Sequence, residues 1–325
     1  YQQFRWMSIF VLAGSVVLML LVFVPGIGKT GGGAARWIKL GPVRFQPSEI
    51  AKVGIILYFA ARLSKRGIQL GPPKDKKWNR RTLLGRTCER LDNIGFLELV
   101  PYGIALVVVL VVIYLQGHMS AMILVIVAAA SVLFAAGISL GWLAAAGAVV
   151  SQLLWFIITQ TDYMKARIDI WLDPFVDPRG NGYQPIQGRI AIGSGGLLGV
   201  GLGNSRQKYL FLPEEHNDYI FSIWCEEMGM VGAVVLMALF ALLIIRGFWL
   251  ALHARDRFGT LLIVGIMSLM AFQVFFNIGV VTGFLPPTGI SLPFFSYGGT
   301  ALMITLGEMG MVLSVSRQIT APKAE

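Results

Sequence analysis

Met228-Gly-Met-Val-Gly-Ala-Val-Val-Leu-Met-Ala-Leu-Phe-Ala-Leu-Leu-Ile-Ile245 runs without a charged residue and stops at Arg246. A helix crossing a bilayer needs roughly 17–25 mostly apolar residues, and this run sits inside one such stretch, 219–247. Working outward, further stretches that qualify or nearly qualify are 7–28, 48–63, 99–115, 119–137, 142–159, 259–282 and 297–316. Gln116-Gly117-His118 alone separates two of them, as a tight hairpin or a broken helix. Composition agrees, since 56% of residues are hydrophobic and 14% are charged, where a soluble domain carries about a quarter charged. The expected fold is all-α, a polytopic transmembrane helical bundle of about eight spans in one membrane domain over 1–325.

The net charge of +10 is read as topology rather than nucleic-acid binding, because Lys and Arg concentrate in cytoplasmic loops. The loop 64–98 is the densest basic segment, with Lys74, Lys76, Lys77, Arg80 and Arg81 among its cations, and is placed inside. Alternation then puts Tyr1, 248–258 and the tail inside, and 29–47, 160–218 and 283–296 outside. Cys88 and Cys225 fall in different compartments, which disfavours a disulfide, and no CxxC or Cys/His cluster points to a metal. No small-residue cleavage site follows the first apolar run, Met7 to Val24.

Two outward segments stand apart. Segment 29–47 carries Lys29, Arg36, Lys39 and Arg44 and no acid, against the positive-inside bias. Its cations either snorkel to outer headgroups or hold an anion such as phosphate. The long 160–218 loop has a core reading Gly193-Ser-Gly-Gly-Leu-Leu-Gly-Val-Gly-Leu-Gly203. It lacks the βαβ setting of a dinucleotide site, so its glycines are read as places of close backbone approach.

Asp218 is the leading candidate for chemistry. It follows Leu212-Pro-Glu-Glu-His-Asn217 and opens the 219–247 stretch, where a carboxylate either caps the helix or, partly desolvated at the interface, serves as a general base. Glu226 and Glu227 lie about 12 Å further along if the helix is regular and are read as ion-paired within the bundle. Glu49 and Lys52 share a helix face after Gln46-Pro47-Ser48, as a local ion pair or a cavity lining. Glu308 lies inside the last stretch. Loop 283–299, rich in proline, is a rigid apolar lip for a lipid chain or a packed plug. No nucleophile elbow or Walker motif is present, so an enzyme here must act on an already activated substrate.

These motifs together resemble the SEDS family, the FtsW, RodA and SpoVE group of peptidoglycan polymerases. The matching stretches are Ala35-Arg-Trp-Ile-Lys-Leu-Gly41, Phe45-Gln-Pro-Ser-Glu-Ile-Ala-Lys52, Ala191-Ile-Gly-Ser-Gly-Gly-Leu-Leu-Gly-Val-Gly-Leu-Gly203 with Gln207-Lys208, Leu212-Pro-Glu-Glu-His-Asn-Asp-Tyr-Ile-Phe221 and Thr288-Gly-Ile-Ser-Leu-Pro-Phe-Phe-Ser-Tyr-Gly-Gly299. The resemblance implies a glycosyltransferase that polymerises lipid II at the outer face of the bacterial cytoplasmic membrane and releases undecaprenyl pyrophosphate. The family's essential acid matches Asp218. Arg36, Trp37, Lys39, Glu49, Lys52, Gln187, Arg206, Lys208, Glu214 and His216 are the substrate-binding positions it implies. It implies a class B penicillin-binding protein as transpeptidase partner and no firm cofactor, with nothing in the residues that calls for a divalent cation. The family has ten spans, so the chain reads as lacking the first two. Where the family has a Gln-Pro-Asp-Leu-Gly-Thr hairpin, this chain has Gln116-Gly-His-Met-Ser-Ala121, and His118 receives no catalytic role. Phe294-Phe295 and the glycine spacing look closer to the FtsW and SpoVE branch.

The expected mechanism has one lipid II as donor and another as acceptor, Asp218 taking the proton of the acceptor hydroxyl, and Arg36, Lys52, Lys39 or Arg206 stabilising the departing pyrophosphate. Glu49, Lys52, Glu226, Glu227 and Glu308 would serve the alternative, a lipid-linked-sugar flippase, although the densest motifs lie in outer loops rather than at the midplane. A scaffold for division or sporulation partners is a third reading.

Overall fold

The computed structural model describes residues 1–26, 28–31, 34–40, 43–65, 96–209, 211–212 and 216–319. Nearly all of the basic loop, Cys88, Glu214 and Glu215 therefore lie outside the described residues. Every apolar stretch forms a helix: α1 (Gln2–Leu21), α2 (Pro47–Lys65), α3 (Phe96–Leu115), α4 (Met119–Ala135), α5 (Leu140–Gln160), α8 (Ile220–Leu252), α9 (Arg257–Val281) and α10 (Gly299–Ser316). The long loop adds α6 (Asp162–Leu172) and α7 (Tyr183–Gly195). By length and apolar composition five helices, α1, α5, α8, α9 and α10, are able to cross a membrane. The apolar parts of α3 and α4 are shorter, Leu99–Leu115 and Met119–Ala135, and α2 carries Glu49, Lys52, Arg62 and Lys65.

The 29–47 segment, read from sequence as a cationic loop, is a small antiparallel sheet of β1 (Gly28–Gly31), β2 (Ala34–Leu40) and β3 (Val43–Phe45) in that order. Lys29 pairs with Trp37 and Lys39 with Arg44. β1 and β3, of four and three residues, are too short for a readable period-two pattern.

The chain divides into two compact units. The first comprises Tyr1–Leu140, Leu250–Ile266 and Met311–Glu325. α2 is its centre, with Ile55, Ile56, Phe59, Ala60 and Leu63 fully buried. α1 turns a stripe of Ser8, Leu12, Ser15 and Met19 inward, at helical spacing, and leaves Trp6, Phe10 and Val17 exposed, as a lipid-facing surface requires. Gly54 lets α1 approach α2, since a Cβ there would lie 3.3 Å from the Leu12 Cα. At one end the Tyr1 hydroxyl donates to Asp256, and Tyr1 stacks on Phe258 at 6.1 Å. The Tyr1 ammonium donates to Ser314 Oγ at 3.1 Å, so the first residues, the 253–257 turn and the end of α10 gather. The 116–118 link is a tight hairpin rather than a broken helix. Gly117 has φ +66°, its N–H bonds Tyr114 at 2.8 Å, and His118 N–H reaches Ile113 at 3.2 Å, a glycine-terminated helix end.

The second unit comprises Gly141–Trp249 and Met267–Gly310. Leu212, Tyr219, Phe221, Ile223, Leu236, Phe240, Val280 and Leu292 are buried in its core. The continuous helix expected over 219–247 is interrupted: Gly229 has φ +66° and ψ −168°. The glycine-rich loop fills the break. Val200 and Gly201 N–H donate to the Glu226 and Glu227 carbonyls at 3.0 and 3.1 Å, while Met230 and Val231 N–H donate to Gly196 and Leu197 at 2.9 and 3.1 Å. A side chain at Gly199 would collide with the Glu227 carbonyl, and one at Gly229 with the Gly199 amide. The glycines therefore serve close backbone approach, as read from sequence. Their bonds supply the partners that a broken membrane helix must find within the protein. Gly229, just after Glu226-Glu227, is a residue at which a helix can break, but the groups that compensate the break lie about 30 residues upstream in the chain.

Candidate active site

Helix α8 opens at Ile220, so Tyr219 holds the cap position and Asp218 stands one residue before it. Asp218 is half-buried, and its Oδ2 lies 3.0 Å from the place a Cβ at Gly289 would take. Gly289 has φ +69°, a conformation that glycine adopts freely. A side chain there would crowd the carboxylate as well as strain the backbone.

The 283–298 loop holds the segment that carries Asp218 through successive carbonyls. Tyr297 N–H donates to the His216 carbonyl at 2.7 Å. Ser296 Oγ donates to the Asn217 carbonyl at 2.7 Å and accepts from Leu292 N–H at 2.7 Å. Asn277 Nδ2, from α9, donates to the Asp218 carbonyl at 2.8 Å and to the Ile290 carbonyl at 2.7 Å. Asn277 is 1% exposed, and its Oδ1 is buried with no hydrogen-bond partner among the described residues. The loop is therefore a packed element rather than a free lip. Asn277 and Ser296 escape sequence reasoning because each is one polar residue in an apolar setting, with partners 59 and 79 positions away.

α6 and α7 tie the far end of the same loop. Arg167 donates to the Pro287 carbonyl, and Trp171 Nε1 donates to Gly283 at 3.1 Å. The Arg189 guanidinium occupies the space a side chain at Gly283 would need, and Gly188 packs on the Tyr219 ring. The Tyr219 hydroxyl is buried without a hydrogen-bond partner among the described residues. Gln187 is half-buried on α7 just before this contact, and His216 is exposed.

Glu226 and Glu227 bind the 203–208 segment of the loop before α8. Glu226 accepts from Ser205 Oγ, from Arg206 N–H at 3.1 Å and from Gln207 N–H at 3.4 Å. Glu227 accepts from Ser205 N–H at 3.3 Å and pairs with Lys208 at 2.7 Å. The expected ion pair thus exists for Glu227, while Glu226 is held by neutral donors. Lys208 also donates to the Gly203 carbonyl at 2.6 Å. Its hydrogen bond to Glu227 raises its pKa above the ordinary 10.5, so it stays charged. Arg206 enters through its backbone, and its side chain is exposed.

The remaining candidates lie in the first unit. Glu49 and Lys52 form a buried ion pair at 2.8 Å, the first of the two readings of that spacing. Arg36, on β2, donates to the Gly117 carbonyl at 2.6 Å, and its Nε is buried without a hydrogen-bond partner among the described residues. Trp37 is half-buried, and Lys39 is placed by its backbone on β2. His118 lies 3.1 Å from Ser48 Oγ and 3.4 Å from Gln46 Nε2. Burial, with Arg36 and Lys52 adding to it, holds its pKa down to about 3, so the ring is neutral at physiological pH. Cys225 is buried and free.

A family model described as "Cell cycle protein", for FtsW, RodA and SpoVE sequences, matches residues 1–321. The "Probable peptidoglycan glycosyltransferase FtsW" of Geobacter sulfurreducens is 39% identical over 319 residues, 98% of this chain and 80% of that protein. The "Peptidoglycan glycosyltransferase MrdB" of Escherichia coli K12 is 39% identical over 304 residues, 92% of this chain and 75% of that one. Among solved structures, a chain from "Structural coordination of polymerization and crosslinking by a peptidoglycan synthase complex" superposes with TM-score 0.75 at 31% identity, covering 98% of this chain and 82% of that one. Thermus thermophilus RodA superposes with TM-score 0.65 at 28% identity, covering 98% and 81%.

Proposed function

The chain belongs to the FtsW, RodA and SpoVE family, and on that premise we propose that Asp218 is the general base of a lipid II polymerase. The protein is a peptidoglycan glycosyltransferase of the multi-pass membrane type, in keeping with the relatives it matches. The observation that carries the assignment of Asp218 is its mounting. The carbonyls of residues 216, 217 and 218 are each held by a donor from α9 or the 283–298 loop, which keeps a half-buried carboxylate in one place.

In this mechanism the acceptor sugar hydroxyl attacks the anomeric carbon of the donor, and its proton passes to Asp218. The electron pair of the broken carbon–oxygen bond leaves with the polyprenyl diphosphate, and in-line attack inverts the anomeric centre. Arg206, whose side chain is exposed, is assigned to stabilising that leaving group. Lys208 is assigned to the loop instead, because its charge is already matched by Glu227. The active face is assigned to the outside of the cytoplasmic membrane, and the partner to a class B penicillin-binding transpeptidase.

Purified protein supplied with lipid II in detergent, with no bilayer to cross, tests the enzyme against the flippase reading. There Asp218→Asn is expected to lower glycan-strand formation by about 10²–10⁴-fold, the range of a general base, with the melting profile unchanged. Polymerisation at the unsubstituted rate would remove Asp218 from the base role.

A further inference from the structure

The cations proposed from sequence for the donor's phosphates are partly committed elsewhere. Lys52 pairs with Glu49 at 2.8 Å and Lys208 with Glu227 at 2.7 Å, and a paired ammonium presents little net charge to an approaching anion. Arg167 gives an N–H to the Pro287 carbonyl. Arg189 is different. It is exposed on α7 and forms no ion pair with a described residue.

Two separate contacts bring Arg189 into the neighbourhood of Asp218 within one unit. The first runs through the 283–298 loop, whose Gly283 lies under the Arg189 guanidinium and whose Gly289 lies against the Asp218 carboxylate. The second is the crossing of α7 over the start of α8. A Cβ at Gly188 would come 2.6 Å from Tyr219 Cδ1. Arg189 follows Gly188 and Asp218 precedes Tyr219 in the chain. Arg189 therefore stands near the base with its charge unmatched by any ion pair to a described residue.

We propose that Arg189 is a phosphate-binding residue of the active site, holding the diphosphate of the polyprenyl-linked donor beside Asp218. The inference rests on the reading of Asp218 as the base. A guanidinium suits the role because its planar fork meets phosphate oxygens in pairs. As the donor carbon–oxygen bond breaks, its electron pair goes to the diphosphate oxygen, whose added negative charge Arg189 would face. The proton of the acceptor hydroxyl goes to Asp218, so the two residues act on opposite ends of the displacement.

The test uses the full chain, purified in detergent, with lipid II as substrate and inorganic pyrophosphate as inhibitor. Arg189→Ala is expected to weaken pyrophosphate inhibition and to lower kcat/KM, each at least tenfold, and Arg189→Lys to recover most of the inhibition. Arg255→Ala, an exposed cation on the turn between α8 and α9, is expected to change neither. Pyrophosphate inhibition that is the same in Arg189→Ala as in the parent would overturn the proposal. If Arg189→Ala is poorly folded, the comparison of Arg189→Gln with Arg189→Lys decides it, because an effect of charge separates those two and an effect of packing does not. Repeating the assay with and without phosphatidylglycerol vesicles separates the sources of phosphate. An Arg189 effect seen only with the anionic lipid would mark a headgroup contact and overturn the donor assignment. Asp218→Asn keeps the two readings distinguishable. It is expected to abolish turnover while retaining pyrophosphate binding, and normal turnover in it would sink the base assignment whatever Arg189 does.

Discussion

Asn277→Ala removes one side-chain amide and leaves two carbonyls without their donor. The bonds lost are those to Asp218 at 2.8 Å and to Ile290 at 2.7 Å. Ile290 is 4% exposed, so its carbonyl has poor access to water, and an unsatisfied buried acceptor costs about 1–3 kcal/mol. Asp218 is half-buried, so its carbonyl is more easily rehydrated and adds about 1 kcal/mol. The substitution also deletes Oδ1, an acceptor already buried and unsatisfied, which returns about 1 kcal/mol. The net destabilisation is therefore about 1–3 kcal/mol, too little to unfold the unit. Catalysis should suffer more. The amide links residue 218 to residue 290, next to the Gly289 that borders the carboxylate, and a displacement of about 1 Å at a reacting group costs about 10²-fold. Lipid II polymerisation by Asn277→Ala is expected to fall about 10–100-fold in kcat with little change in KM. Asn277→Asp is the sharper probe. It keeps the volume but sets a carboxyl oxygen against two carbonyls, and it should be worse than alanine in both kcat and melting temperature. If Asn277→Asp equals or exceeds Asn277→Ala in activity, or if Asn277→Ala keeps the parental kcat, then Asn277 does not hold the base in place.

Gly229→Ala and Gly199→Ala introduce a side chain at φ +66° and +81° where a backbone atom already stands; each is expected to cost about 3 kcal/mol or more, read as a lost monodisperse peak in size-exclusion chromatography. Glu226→Gln keeps the shape but loses the charge that Ser205, Arg206 and Gln207 donate to; loosening of the 200–209 loop should appear as faster limited proteolysis, by about tenfold for each 1.4 kcal/mol lost. Lys208 has a folded pKa raised above 10.5 by its bond to Glu227. Its contribution is therefore complete below the unfolded value and fades only as pH rises through the raised one, so the part of loop protection that Lys208 supplies should not vary with pH between about pH 6 and 9. Lys208→Met removes that tether and should raise the proteolysis rate at every pH in that window.

The sequence by itself determined the elements that depend on neighbours in the chain. A hydrophobic run is a local property, and each of the apolar stretches read from sequence is a helix. The place of Asp218 at the head of α8 was legible for the same reason, since a charge bordering a long apolar run marks an interface. Glu49 and Lys52 were readable as neighbours because three residues make most of a helical turn, although only the coordinates chose the ion pair at 2.8 Å. Tertiary structure decided everything that joins distant segments. The break at Gly229 is decided by tertiary structure, because what permits it is the backbone of residues 196–201. The ion pair of Lys208 with Glu227 joins positions 19 apart and was not legible in the sequence. The mounting of Asp218 depends on Asn277 and Ser296, whose partners lie 59 and 79 positions away. Each of those contacts closes a long loop of chain, and a pattern confined to a few residues carries no information about which distant carbonyl an amide will reach.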